Sequence, residues 1–217
     1  MMQVKAVIFD MDGLLIDSEP LWQEAGKATL FQLGYALTTE QYHTSTGLRT
    51  EEWIDHWFRH FQIDQQLAPS AVNTILQKAI ENIRERGAMF PGAEDIIQLF
   101  RNKELKIGLA TSSPMEVVEA ALNKFSLKDR FDVISSAGTL PYGKPHPQVY
   151  LQCAEQLNVS PLECLAFEDS FNGMIAAKAA RMKCVVVPAA SDYDHPKWAA
   201  ADAKLKTLSE FEWSRLF

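Results

Sequence analysis

The sequence predicts an α/β fold, a doubly wound parallel sheet with an all-helical subdomain inserted after the first strand. Three observations predict it. Short apolar runs rich in β-branched residues recur along the chain. From about Lys106 to Pro188 these runs alternate with stretches of helical periodicity, which implies a parallel sheet with right-handed crossovers. Between the first run and the second, residues 20–87 contain no convincing strand, and an insertion of that length exceeds an ordinary strand-to-helix connection.

The elements follow in order. Residues 4–9 form an apolar run that stops at Asp10, the pattern of a strand buried on both faces. Residues 17–20 and 87–92 are expected to be the two hinges of the insertion. Between them lie amphipathic stretches at 21–33, 51–61 and 71–86, broken at Gly34, Thr46-Gly47 and Ala68-Pro69. Trp53, Trp57, Phe58 and Phe61 recur at helical spacing and read as the core of this subdomain. The expected division is therefore a helical unit over 18–87 and an α/β unit over 1–17 and 88–217.

A helix over 93–103 leads back to strands at 106–110, 132–135, 165–167 and 184–187. Ser113-Pro114-Met115-Glu116 reads as a capping box with Pro at the first helical position, opening 117–125. Further helices are expected from Pro147 to Leu157 and from Ser170 to Ala180.

Composition excludes several classes of function. Of 217 residues, 47% are hydrophobic and 23% charged, enough apolar material for a packed core and against disorder. A net charge of −7 without any Lys/Arg run lacks the footprint of a nucleic-acid binder. No apolar stretch approaches the roughly 18 to 20 residues of a membrane helix. Asp10 and Asp12 interrupt what would be the apolar region of a secretory signal. Cys153, Cys164 and Cys184 are odd in number and widely spaced, as expected for buried thiols of a reducing compartment. A cytoplasmic monomer with neither nucleic-acid nor membrane partners is expected.

In open α/β sheets ligands bind at the carboxyl ends of the strands. Asp10-Met11-Asp12-Gly13 follows the first run and Thr111-Ser112-Ser113 the second. Gly143-Lys144-Pro145 lies beyond the third, and Glu168-Asp169-Ser170 follows the fourth. A pure scaffold has no need to crowd four carboxylates at one rim. Asp10, Glu168 and Asp169 are hard oxygen ligands suited to Mg²⁺; without a cation they would repel one another and take up protons. Lys144, the Thr111 hydroxyl and the Ser112 N–H supply donors for phosphate oxygens. One carboxylate can attack phosphorus to give an acyl phosphate, and a second, two residues on, can protonate the leaving oxygen. Gly13 allows the tight turn after these acids.

Other polar residues have plainer readings. Ser113 reads as a helix cap, and Asp17 as a residue that caps the first inserted helix and orients the hinge without a chemical role. Asn172 belongs to a helix start or steadies the acidic loop. His43, His56, His60, His146 and His195 share no ligand spacing. Trp22 either lines the mouth of the site or packs.

The motif Asp10-x-Asp12-Gly13-x-x-x-Asp17-Ser18 resembles the nucleophile motif of the haloacid dehalogenase superfamily. Leu109-Ala110-Thr111-Ser112, Gly143-Lys144-Pro145 and Phe167-Glu168-Asp169-Ser170 are similar to its second, third and fourth motifs. The order matches across nearly the whole chain. The resemblance implies a Rossmann-like core with a C1-type helical cap. It also implies Asp10 as the phosphorylated nucleophile and Asp12 as general acid/base, with the Asp12 main-chain carbonyl also on Mg²⁺. Thr111 and Lys144 would hold the transferring phosphoryl group with Ser112 beside them, and Asp169 with Glu168 would complete the metal site. Dehalogenating members lack the second Asp, so Asp12 places the chain among the phosphotransferases.

Residues 9–20 and 142–150 resemble sugar-phosphate phosphatases of the 2-deoxyglucose-6-phosphatase kind. Trp22 stands where the related beta-phosphoglucomutases carry a His that restrains the general acid, which favours hydrolysis. Thr46-Gly47-Leu48-Arg49 lies where the family places its cap substrate loop, and Arg49 is expected to meet the phosphate or a sugar hydroxyl. The resemblance thus implies a Mg²⁺-dependent phosphatase acting on a small phosphorylated metabolite, a hexose phosphate such as 2-deoxyglucose 6-phosphate, through an aspartyl phosphate. A phosphosugar mutase and a non-catalytic sugar-phosphate-binding protein are the alternatives.

Overall fold

The computed structural model describes residues 4–45 and 47–213. Six strands form one parallel sheet: β1 (Ala6–Phe9), β2 (Lys106–Thr111), β3 (Val133–Ser136), β4 (Cys164–Glu168), β5 (Lys183–Val186) and β6 (Ala203–Lys204). Their order is β3-β2-β1-β4-β5-β6. Connections wind one way from β1 to β3 and the other way from β4 to β6. The switch point lies between β1 and β4, where such sheets open a crevice. The first five strands fall on the apolar runs of the sequence. The sixth is two residues long, too short to declare a period.

Alternation along the strands divides the core. Val7 and Phe9 of β1, Leu109 of β2 and Leu165 and Phe167 of β4 face α5 (Ala93–Asn102) and α6 (Met115–Lys124). Phe9 stacks on Phe167 with centroids 5.1 Å apart, and Phe100 of α5 lies 5.7 Å from Phe167. Truncating a fully buried ring such as Phe167 to Ala would cost about 3–5 kcal/mol. Ala6, Ile8, Ala110 and Ala166 face the other way, against α7 (Gln148–Gln156) and α8 (Phe171–Ala179). The three cysteines are free and buried.

The segment between β1 and β2 holds α1 (Glu19–Gln32), α2 (Thr39–His43), α3 (Thr50–Phe61) and α4 (Ala68–Arg86). These helices have a hydrophobic core of their own, built on Leu30, Trp53, Trp57, Phe58 and Ile75. Helix α4 serves two cores. Ala71, Ile75 and Ala79, one turn apart, face the inserted core, while Ile80 and Ile83 join the core on the sheet. Ala68-Pro69, expected to be a break, instead begins α4; proline suits a first turn, where no N–H is needed. Helix α2 has five residues, too few for periodicity to reveal. The two connecting segments pair with each other. The Asp17 N–H donates to the Ala88 carbonyl at 2.9 Å and the Phe90 N–H to the Leu15 carbonyl at 3.0 Å. Among the described residues, no helix is long and apolar enough to cross a membrane.

Candidate active site

Sheet register brings the acids level. Phe9 pairs with Leu109 on one side and Phe167 on the other, so Asp10, Ala110 and Glu168 sit side by side at the carboxyl edge. Lys144 reaches them from the loop after β3. Its Nζ donates to Asp10 Oδ1 at 2.6 Å, to Glu168 Oε1 at 2.6 Å and to the Ala110 carbonyl at 3.0 Å. Burial works against the Lys144 charge, but Asp10 and Glu168 outweigh it and hold the ammonium above its ordinary value. The Tyr150 hydroxyl donates to the same Glu168 oxygen at 2.5 Å, and its ring lies beneath the ammonium. Tyr150 is a site residue that sequence reasoning missed, because nothing local distinguishes it from a core aromatic of α7.

Asp12 lives in a different environment. Oδ1 accepts from the Ser18 hydroxyl at 2.6 Å and from Trp22 Nε1 at 3.0 Å. Oδ2 accepts from the Ser113 hydroxyl at 2.7 Å and, at 3.4 Å, from the Thr111 hydroxyl. Ser113 is therefore no helix cap: Pro114 occupies that position without a side-chain bond, and the Ser113 hydroxyl turns to Asp12 instead. Ser18 and not Asp17 stands at the N-cap of α1, and its hydroxyl is likewise on Asp12. Asp17 is exposed.

The turn between the two acids and the helix is closed by the Gly13 N–H on the Ile16 carbonyl at 2.9 Å. Gly13 has φ +80°, and a Cβ there would run into the Asp169 carboxylate. This position needs glycine for both reasons.

Asp10, Glu168 and Asp169 each present an oxygen within 4.8 Å of the others. Burial, opposed by Lys144 and aided by Glu168 and Asp12, pushes Asp10 up to about 8. Burial and the neighbouring Asp10, Glu168 and Glu19 hold Asp169 well above the usual carboxylate range. A compact set of hard oxygens that favour protonation when no cation compensates them fits Mg²⁺. Within the set, Glu168 has Oε1 taken by Lys144 and Tyr150 and Oε2 by Ser170, at 3.2 Å from its hydroxyl. Of these three acids, Asp10 and Asp169 line the cavity. The Asp12 carboxylate stands outside this group, engaged with its four donors.

The cavity, of about 90 Å³, is lined on the sheet side by Asp10, Asp12, Thr111, Ser112, Lys144 and Asp169. Its small size suits the reacting end of a metabolite. Ser112 Oγ is buried with no hydrogen-bond partner. The inserted helices close the other side with Glu19, Trp22, Tyr42, Arg49 and Trp53. Arg49 lines the cavity, yet its donors are engaged elsewhere. Nη2 and Nε lie 2.6 and 3.0 Å from Glu52 Oε1, and Nη1 donates to the Leu140 carbonyl at 2.7 Å and that of Ala137 at 3.4 Å. Thr46 and the His43 side chain lie outside the described residues. His56 and His60 pack edge-on against Trp57, His146 lies against Tyr142, and His195 accepts from the Lys197 N–H; Asn172 lines a neighbouring groove.

A family model described as haloacid dehalogenase-like hydrolase matches residues 7–187. The chain is 44% identical over 209 residues to hexitol phosphatase B of Escherichia coli (strain K12), covering 96% of this chain and 94% of that one. It is 31% identical over 179 residues, 82% of each chain, to a phosphorylated carbohydrates phosphatase of Thermotoga maritima. A solved variant of CbbY from Rhodobacter sphaeroides, in complex with xylulose-(1,5)bisphosphate, is similar over 99% of both chains with TM-score 0.89 and 27% identity.

Proposed function

This chain belongs to the haloacid dehalogenase-like hydrolases, and from that premise we propose that it is a Mg²⁺-dependent phosphatase of small sugar and sugar-alcohol phosphates that works through an aspartyl phosphate on Asp10. It is a phosphoric monoester hydrolase, and its relatives include phosphatases of phosphorylated carbohydrates. The finer reading rests on one observation. Two acids only two residues apart are kept chemically distinct, Asp10 by an ammonium and neighbouring carboxylates, Asp12 by hydroxyls and an indole N–H. Paired carboxylates in contrasting surroundings divide the roles of nucleophile and proton carrier.

In the first step an Asp10 oxygen forms a bond to phosphorus while the ester P–O bond breaks. The departing alkoxide takes a proton from Asp12. In the second step water attacks the same phosphorus, Asp12 receives the water's proton, and the Asp10 carboxylate is restored with release of phosphate. Lys144 stays charged beside Asp10 and attracts the incoming phosphoryl oxygens, with Thr111 and Ser112 as neutral donors. A divalent cation held by Asp10 and Asp169 would neutralise these acids and draw charge from the phosphoryl oxygens. The inserted helices, proposed as a cap over residues 18–87, would exclude bulk water while the acyl phosphate exists.

Asp10→Asn tests the reading. It should remain folded by circular dichroism yet lose p-nitrophenyl phosphate hydrolysis by about a thousandfold or more. Retention of wild-type turnover would exclude Asp10 as nucleophile. With a hexose phosphate, release of free phosphate and no positional isomer separates hydrolysis from a mutase reaction.

A further inference from the structure

We infer that the cap end of the cavity selects leaving alcohols that carry no charge, so that bisphosphates and phosphorylated acids are rejected, and that Glu19 is the residue deciding it. The inference rests on the phosphatase reading above and narrows its substrate class.

Charge at the cavity wall is one-sided. Among the described residues that line it, four are carboxylates, Asp10, Asp12, Glu19 and Asp169, and two are cations, Lys144 and Arg49. Neither cation serves the cap end. Lys144 is fixed at the floor between Asp10 and Glu168. Arg49 has its three guanidinium nitrogens on Glu52 and on the carbonyls of Leu140 and Ala137. A second phosphate, carrying nearly two negative charges at neutral pH, would meet no uncommitted counter-charge there.

The groups at the cap end suit hydroxyls instead. Glu19 opens α1, and the hydroxyl of Tyr42, on α2, hydrogen-bonds its carboxylate. Trp53, on α3, is 7% exposed, and its buried Nε1 has no hydrogen-bond partner. Glu19 and Trp53 both line the cavity, and a hydroxyl suits both kinds of group, since its O–H can donate to a carboxylate and its oxygen can accept from an indole N–H. A carboxylate or phosphate dianion has no proton to donate and would bring lone pairs against Glu19. Selection of this kind works by a penalty on the wrong partner as much as by attraction to the right one.

The test compares kcat/KM, with Mg²⁺ present, for sorbitol 6-phosphate, gluconate 6-phosphate and a hexose 1,6-bisphosphate. The first two differ only in a carboxylate at C1. p-Nitrophenyl phosphate reports the phosphoryl chemistry alone. The charged substrates should be less efficient than sorbitol 6-phosphate by about 100-fold, and Glu19→Gln should narrow the gap to about tenfold or less whatever its absolute rates. A wild-type ratio within about threefold overturns the inference, as does a folded Glu19→Gln protein with an unchanged ratio. The wild-type ratio decides alone if the variant fails to fold. Absence of p-nitrophenyl phosphate hydrolysis would instead strike the phosphatase reading, and this inference with it.

Discussion

Trp22 contributes to Asp12 what no hydroxyl can. Ser18, Ser113 and Thr111 can each turn an O–H around and accept, whereas the indole N–H only donates. Oδ1 of Asp12 is thereby held as an acceptor, and in the proposed mechanism the travelling proton would sit on Oδ2, beside Ser113. Trp22→Phe keeps an aromatic ring, though a smaller one, and removes the donor. It should lower kcat/KM for an alkyl phosphate about tenfold, the loss expected for one hydrogen bond to a charged group. kcat/KM for p-nitrophenyl phosphate should change far less, because its phenolate leaves without a proton. Equal losses on both substrates would show a packing defect and no role in holding the acid. Ser18 and Ser113 escaped sequence reasoning because a serine next to a helix start has a cap as its ordinary use. Its actual partner, for Ser113, stands 101 positions away.

At the level of elements, Arg49 ties the start of α3 to the loop after β3. Its side chain lies against Gly143, where an added Cβ would come within 2.8 Å of Nε. The inserted helices keep a core of their own and share the sheet's core through Leu21, Ile80 and Ile83, so this polar link adds a second tie between them on the side of the cavity. Arg49→Ala should raise KM for sugar phosphates, lower kcat/KM about tenfold and speed amide exchange in residues 137–143, while leaving the melting temperature within a few degrees. Gly143→Ala, acting on the same contact from the other side, should reproduce the kinetic effect. If Arg49→Ala raised KM while exchange at 137–143 stayed unchanged, direct substrate contact would be the better account of the residue.

On the scale of the whole molecule, the acid cluster couples stability to pH and, if it holds the proposed Mg²⁺, to the cation as well. Burial pushes Asp10 up to about 8 and holds Asp169 well above the usual range. In the unfolded chain both would titrate near 4. Between those values the metal-free native state binds protons that the unfolded state has released, so stability falls as pH rises from about 4 to about 8. A cation that takes the protons' place removes this penalty, and its stabilisation grows with pH. Millimolar Mg²⁺ should raise the melting temperature by about 5 °C or more at pH 8 and by less than about 2 °C at pH 5. An equal rise at both values would mean that these acids do not bind the ion.

Much of this molecule was legible in one dimension because the relevant signals are local. A strand buried on both faces must be an apolar run, and a chemical rim must follow such runs, so β1 to β5 and the residues Asp10, Asp12, Thr111, Lys144, Glu168 and Asp169 could be placed by inspection. What the sequence left undecided depended on approach in space. The two-residue β6 and five-residue α2 are too short for a period to register. That Ser113 turns to Asp12 instead of capping a helix, that Trp22 donates to Asp12 while lining the cavity, and that the Arg49 guanidinium reaches the Leu140 carbonyl depend on partners 101, 10 and 91 positions away. A side chain's donors are fixed by its chemistry, but the choice among acceptors is made only when the folded backbone brings one of them within hydrogen-bonding range.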